Sequence, residues 1–239
     1  TSCEGCQLVV ISMADKLLEI IDLVEVVNFR EASSYKGTDY EIAIIEGAIS
    51  TVREIEEVRK IRAQAKIVVA LGVCAHIGGV NVMKNFNNQH LIRKEVYGDQ
   101  ADHFDTILAQ PIDAVIKVDY YSRGCPPSRD GEEFYEILAA ILAGRKPPIP
   151  NFPVCVQCKM KENVCTFHKE KPIACLGPVV RTGCDAACPS AGNACEGCRG
   201  LVDDPNLTAH EKTLLESGLN VSDILKFYRM YNGLMEVGK

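Results

Sequence analysis

Apolar positions change period repeatedly along the first 147 residues. Leu8, Val9, Met13, Leu17, Leu18 and Ile21 recur every three to four positions, the spacing of one helix face. Residues 24–28 predict a short strand. "YEIAIIEG" (40–47) is a brief apolar run closed by glycine and predicts a buried strand. Over 51–65, Val52, Ile55, Val58 and Ile61 turn inward between charged residues, which predicts an amphipathic helix. "KIVVALG" (66–72) is a fully apolar strand, and "AVIKVDYY" (114–121) predicts the next one. In "SRDGEEFYEILAAILAG" (128–144), Ser128 or Asp130 serves as N-cap, acids fill the first turn and Gly144 closes the helix. Strands alternating with helices predict a parallel, doubly wound α/β sheet, whose ligands lie outside the carboxyl ends of its strands.

This pattern stops at "GRKPPIPNFP" (144–153), where Pro147, Pro148, Pro150 and Pro153 make a stiff connector. Two domains are therefore expected, 1–147 and 148–239. The second opens with "CVQCKMKENVC", "ACLGPVVRTGC" and "GCDAACPSAGNACEGC", eight cysteines between positions 155 and 198 with almost no apolar period. Such a segment cannot build a large core without an inorganic group inside it. Residues 201–239 turn helical again, with starts at Thr208 and Ser222, and either cover the cysteine-rich segment or dock a partner.

Composition adds few constraints until cysteine is counted. In 239 residues, 47% hydrophobic and 24% charged content are ordinary for a soluble protein. A net charge of −6 leaves no footprint for nucleic acid or an anionic membrane. The longest uncharged run, 67–83, contains Gly72, His76, Gly78, Gly79 and Asn81, which suits a strand–loop–helix unit and not a membrane span. The sequence opens at "TSCEGCQ", inside a loop, so a strand or targeting signal upstream would go unseen.

Twelve cysteines are the outlier. Disulfide frameworks belong mostly to small secreted domains, whereas the first 147 residues have a full core and only four thiols. Structural zinc takes thiolates in fours through C-x-x-C pairs. Iron–sulfur clusters use the same clamp, because neighbouring thiols must reach two irons of one cube. Spacing favours iron–sulfur and leaves zinc open. Position narrows the question for four of them. Cys74 lies just past one strand and Cys125 just past another, while Cys3 and Cys6 precede a helix where a first strand, absent from the sequence, would end. Cys3, Cys6, Cys74 and Cys125 should converge on one crest of the sheet. Gly72, Gly78, Gly79 and Gly124 allow close backbone approach there, and Pro126 and Pro127 stiffen the chain beyond Cys125.

In that order, "TSCEGCQ", "IIEGAIST", "LGVCAHIGGV" and "SRGCPP" resemble the proximal-cluster motifs of [NiFe]-hydrogenase small subunits. The related quinone-reductase subunit has adjacent cysteines in its first motif; here Cys3 and Cys6 are separated, which favours hydrogenase. "CLGPV", the spacing from Cys175 to Cys184 and the closing "CEGC" carry the resemblance to about residue 200. It implies a flavodoxin-like domain, its first strand missing from the sequence, followed by an irregular iron–sulfur domain with C-terminal helices. It also implies three [4Fe-4S] clusters: proximal on Cys3, Cys6, Cys74 and Cys125, distal on Cys155, Cys158, Cys165 and Cys175, and medial on Cys184, Cys188, Cys195 and Cys198. Two positions depart from many members. Cys155 stands where they have a histidine, and Cys188 stands near a proline of those that hold a [3Fe-4S] medial cluster. Both departures resemble the cytoplasmic multi-subunit, sulfhydrogenase delta-like branch. The implied role is electron transfer between the nickel–iron site of a separate large subunit and a further redox subunit, either a flavin module using NAD(P) or a ferredoxin-linked one. A zinc-stabilised interaction protein without catalysis is the competing reading.

Other residues have plainer expectations. His76 reads as a hydrogen-bonded loop histidine ahead of a cluster-tuning one, and Glu46 as a hydrogen-bonded carboxylate ahead of a proton relay. His168 is a lesser candidate for a distal ligand. His90, His103 and His210 are expected in solvent.

Overall fold

A computed structural model describes residues 1–127, 130–170 and 172–234. Its regular elements, in chain order, are α1 (Gly5–Ser12), α2 (Asp15–Leu23), β1 (Ile42–Glu46), β2 (Ile49–Thr51), α3 (Val52–Gln64), β3 (Ile67–Leu71), α4 (Gly72–Ile77), α5 (Gln89–Tyr97), β4 (Thr106–Gln110), β5 (Tyr120–Ser122), α6 (Glu132–Leu142), α7 (Val154–Met160), α8 (Ala187–Ser190), α9 (Leu207–Glu216) and α10 (Val221–Asn232). Strands β1, β3 and β5 form a parallel sheet with β3 in the middle. Four of the five β3 residues are buried, which explains why "IVVAL" is apolar throughout and does not alternate. Val68 and Ala70 pack toward α3 with Val58 and Ile112. Leu71 meets Val10, Met13, Phe134 and Leu138 of the α1–α2 and α6 layer. This is the doubly wound arrangement expected from the alternating pattern.

Helix α3 begins as its sequence requires. Thr51 Oγ1 accepts the Glu54 N–H at 3.2 Å, and Glu54 returns a carboxylate to the Thr51 N–H at 2.9 Å, a reciprocal capping box. Val52, expected inward, is instead 50% exposed because it occupies the first turn, before the helix has reached the sheet.

Four local expectations are corrected. The first helix breaks at Ala14, whose φ of 49° separates α1 from α2. Residues 24–28 form no strand; they keep one isolated bridge, Asn28 to Lys36, and Val26 stays exposed. The run 114–121 pairs only from Tyr120. There the Asp119 carboxylate takes the Val68 N–H at 2.8 Å and Arg62 at 2.6 Å, so a side chain occupies a donor the ladder would have used. Helix α6 is capped at Gly131, not Asp130, and Ser128 lies outside the described residues. A short antiparallel pair, β2 with β4, and the helices α4 and α5 were not anticipated.

Beyond the prolines, α7 and α8 frame a small core of Val154, Leu176, Val179, Val180, Ala186 and Ala194, into which Cys175 and Cys195 are packed. Helices α9 and α10, capped by Asn206 and Asn220 and not by Thr208 and Ser222, fold back over it. Leu214 and Ile224 cover Ala174, and Asn232 Nδ2 donates to the Gly197 carbonyl at 3.2 Å. His210, expected in solvent, is buried at 3% exposure. Its Nε2 lies 2.8 Å from the Cys175 carbonyl, which can only accept, so Nε2 carries the proton and Nδ1 accepts from Tyr228 Oη at 2.6 Å. Among the described residues no helix is long and apolar enough to cross a membrane.

Replacing His210 with Phe strands the Cys175 carbonyl and the Tyr228 hydroxyl. A loss of about 1–3 kcal/mol is expected, the cost of unpaired buried polar groups. Limited proteolysis should then cut faster within 201–234 while residues 1–147 keep their resistance.

Candidate functional site

The crest of the sheet gathers the first thiol set through three chain turns. Cys6 enters the first turn of α1, with Cys3 just before it. Cys74 sits in α4, which leaves β3 directly. Cys125 follows β5 through Gly124, and the Gly124 carbonyl accepts the Val73 N–H at 2.8 Å, tying that loop to α4. Glycine is required at position 72. Its φ is +84°, and a Cβ there would overlap the Cys6 sulfur. A Cβ at Gly79 would stand 3.1 Å from the Cys74 sulfur. Glu46, at the end of β1, accepts from Gln7 Nε2 at 2.8 Å and from the Cys6 N–H at 3.3 Å, the hydrogen-bonded carboxylate expected.

Three thiols of this set, Cys6, Cys74 and Cys125, have pKa values raised by burial and then by their neighbours. Burial pushes Cys6 far up, and Glu46, Cys74, Cys125 and Cys3 add to it. Burial, then Cys125 and Cys3, push Cys74 to about 11. Burial also raises Cys125, with Cys3 adding to it and a hydrogen bond from Tyr231 of α10 opposing it.

Beyond the prolines, Cys155, Cys188, Cys195 and Cys198 behave in the same way. Cys155 and Cys158 lie one turn apart on α7. Burial, then Cys175, Cys158 and Cys165, carry Cys155 to about 11. A Cβ at Gly177 would stand 3.4 Å from the Cys175 sulfur and 3.5 Å from that of Cys155. Cys188 is raised by burial, Glu196 and Cys184. Cys195 is raised by burial, Cys175, Cys198 and Cys184. Burial drives Cys198 to about 12 against a hydrogen bond from the Cys125 backbone, and Cys184 and Cys125 raise it further. The Cys195 N–H donates to the Cys175 sulfur at 3.3 Å. Among the described residues, no three of His, Cys, Asp or Glu are grouped so as to hold a single metal ion. The donor set nevertheless fits a multinuclear cationic group: thiols that are buried and mutually repelling become stable thiolates only beside compensating positive charge.

One side chain ties the cysteine-rich segment to the sheet layer. Arg199, directly after Cys198, is 1% exposed and donates to the Thr182 carbonyl at 2.7 Å, to the Arg123 carbonyl at 2.6 Å and to Glu133. Glu133 accepts the Arg123 N–H at 2.7 Å with its other oxygen. The loops bearing Cys125, Cys184 and Cys198 thus share one buried ion pair. Sequence reasoning missed Arg199, Glu133, Tyr231 and His210; only the position of Arg199 beside "CEGC" offered a signal. His76 corrects a further expectation. It lies in α4 and not in a loop, packs on Tyr121 at 4.8 Å, and its buried Nδ1 has no hydrogen-bond partner. Burial, with Arg123, Arg181 and Arg199, lowers its pKa to about 3. His168, close to Cys165 in a short 3-10 turn, is exposed, as are His90 and His103.

Comparison with known proteins places this geometry. The family model described as "NADH ubiquinone oxidoreductase, 20 Kd subunit" matches residues 3–141. Sulfhydrogenase 2 subunit delta of Pyrococcus furiosus is 35% identical over 218 residues, covering 90% of this chain and 90% of that protein. A chain of the vhu F420-non-reducing hydrogenase of Methanocaldococcus jannaschii is 31% identical over 93% of this chain and 84% of its own length. A chain in the solved structure of an NAD+-reducing [NiFe]-hydrogenase in the H2-reduced state superposes with a TM-score of 0.54 at 27% identity, covering 62% of this chain and 90% of that one.

Replacing Glu133 with Ala leaves the Arg199 guanidinium buried without its counter-charge, a change expected to cost about 3–5 kcal/mol. The Glu133→Leu/Arg199→Met pair should cost less than the sum of its single changes, because the two side chains act as a unit. Thermal unfolding of the four proteins of that cycle tests this, and additivity would show that the pair is not the fastening.

Proposed function

This chain belongs to the NADH ubiquinone oxidoreductase 20 Kd subunit family and is a [NiFe]-hydrogenase small subunit, and on that premise we propose that its twelve cysteines hold three [4Fe-4S] clusters in one relay. The proposed ligands are Cys3, Cys6, Cys74 and Cys125 for the proximal cluster, Cys184, Cys188, Cys195 and Cys198 for the medial one, and Cys155, Cys158, Cys165 and Cys175 for the distal one. The observation that carries the reading is how the sets touch. Cys125 and Cys198 interact electrostatically, and the Cys195 N–H donates to the Cys175 sulfur at 3.3 Å, so the contacts run proximal to medial to distal. Clusters held there would supply one-electron redox centres between the large subunit and a further redox subunit.

The chain's own contribution is ligation and placement. Gly72 and Gly79 leave the space beside the Cys6 and Cys74 sulfurs free of side-chain atoms, and the Cys195 N–H supports the Cys175 sulfur. Arg199 and Glu133 hold the proximal and medial loops at fixed separation. Cys3 and Cys125 are exposed at the crest, and Leu8, Val80 and Met83 are exposed near it in sequence, which supports a large subunit covering that face. The division at residue 147 is supported by the family match, which ends at residue 141. A flavin subunit using NAD(P), or a ferredoxin-linked one, would receive the electrons, and the complex would be cytoplasmic. The NAD+-reducing structural neighbour favours the first acceptor.

Anaerobic iron and sulfide analysis of the purified complex should give about twelve irons assigned to this chain and no zinc. About eight irons with stoichiometric zinc would refute the three-cluster relay. Cys188→Ala should remove one iron from the medial site alone and introduce a [3Fe-4S] signal in electron paramagnetic resonance of the oxidised complex. An unchanged spectrum would show that Cys188 is not a ligand.

A further inference from the structure

Cys175 and Cys195 are joined twice. The Leu176 N–H donates to the Cys195 carbonyl at 2.8 Å, and the Cys195 N–H returns to the Cys175 sulfur at 3.3 Å. Both cysteines are buried. A Cβ at Gly177 would stand within 3.5 Å of the Cys175 and Cys155 sulfurs and 3.7 Å from the Cys195 Cβ. The double link therefore lies where the two thiol sets of the cysteine-rich segment meet.

A backbone N–H stays on a sulfur only while the two chains keep their register. In the trans peptide between Cys175 and Leu176, the N–H and the C=O point in opposite directions. The N–H is engaged by Cys195, so the carbonyl faces away from it, and there His210 Nε2 meets it at 2.8 Å. Tyr228 Oη, on α10, stands 2.6 Å from the other ring nitrogen. An imidazole that accepts from a hydroxyl on Nδ1 carries its proton on Nε2, so Tyr228 keeps the Nε2–H aimed at Cys175. Leu214 and Ile224 of the same two helices pack on Ala174, which leaves the buried peptide little access to water as a substitute donor. One unbroken chain of hydrogen bonds thus runs from Tyr228 through His210, the Cys175–Leu176 peptide and Cys195 to the Cys175 sulfur.

We propose that His210 is a positioning residue for the distal cluster, holding the Cys175–Leu176 peptide so that the Cys195 N–H stays on the Cys175 sulfur and sets the potential of that cluster. The proposal rests on the ligand assignment above. A hydrogen bond to a coordinating thiolate offsets part of its negative charge and favours an added electron. His210 touches no sulfur, so its influence passes through the backbone, and Tyr228 acts one bond further out.

Redox titration of the purified hydrogenase complex, followed by electron paramagnetic resonance, tests this role. The distal signal is the one that Cys165→Ser alters. His210→Leu should lower its midpoint potential, so that at a fixed potential the reduced-to-oxidised ratio falls about threefold to tenfold, the worth of one hydrogen bond. Threefold corresponds to about 30 mV for a one-electron couple. His210→Gln, which keeps a side-chain N–H for the Cys175 carbonyl, should recover most of the shift. Tyr228→Phe keeps the packing and should move the same signal in the same direction by less, while the proximal signal stays in place in every variant. If His210→Leu fails to assemble, Tyr228→Phe carries the test. An unmoved distal potential in the variants that assemble, or an equal shift in His210→Leu and His210→Gln, overturns the proposal while about twelve irons in the wild type leave the ligand assignment standing. A wild type with about eight irons and zinc would overturn both.

Discussion

The buried pair between Arg199 and Glu133 is the constraint on which the placement of the cysteine loops depends. Arg199 belongs to the cysteine-rich segment and Glu133 to the helix that flanks the sheet, so the ion pair crosses from one to the other. Removing one partner leaves an ion in a low-dielectric interior, which is costlier than the pair itself is stabilising. The remaining guanidinium donors end on backbone carbonyls, those of Arg123 and Thr182. The pair therefore fixes main chain, and with it the spacing of the loops that carry Cys125, Cys184 and Cys198.

Around that fastening, the thiols create an electrostatic problem that the polypeptide alone does not solve. Cys6, Cys195 and Cys198 are withdrawn from water, and each thiolate would stand beside others of the same sign. Without a cationic group they remain protonated and contribute little more than a small hydrophobe would. Cys195, with Cys175, packs among Val154, Leu176, Val179 and Ala194, so a cationic group beside those thiols would sit at the centre of that core. Binding of such a group would then be coupled to folding of the cysteine-rich segment.

The C-terminal helices complete the enclosure. His210 pins α9 to the Cys175 carbonyl, Asn232 pins α10 to the Gly197 carbonyl, and Tyr231 reaches Cys125 in the other domain. One segment thus touches the loops of all three thiol sets, and it shields backbone acceptors that would otherwise compete for water.

Much of this was legible in the sequence, because local periodicity records which faces of an element are buried. "KIVVALG" read as an apolar strand, and Ile55, Val58 and Ile61 marked an amphipathic helix. The cysteine spacings and their flanking motifs identified the family. Residues 24–28 and 114–119 failed as strands because a strand exists only with a neighbour. Val26 found none, and Asp119 used its side chain where a ladder bond was expected. His210 looked solvated among polar neighbours and is buried, since its partners, Cys175 and Tyr228, come from remote parts of the chain. The same holds for Arg199 and Glu133, separated by 66 residues. Spacing along the chain determined which residue types could form each site. Only the packing of the cysteine-rich segment on the sheet layer decided which charges would be buried, because burial depends on what the rest of the fold brings alongside.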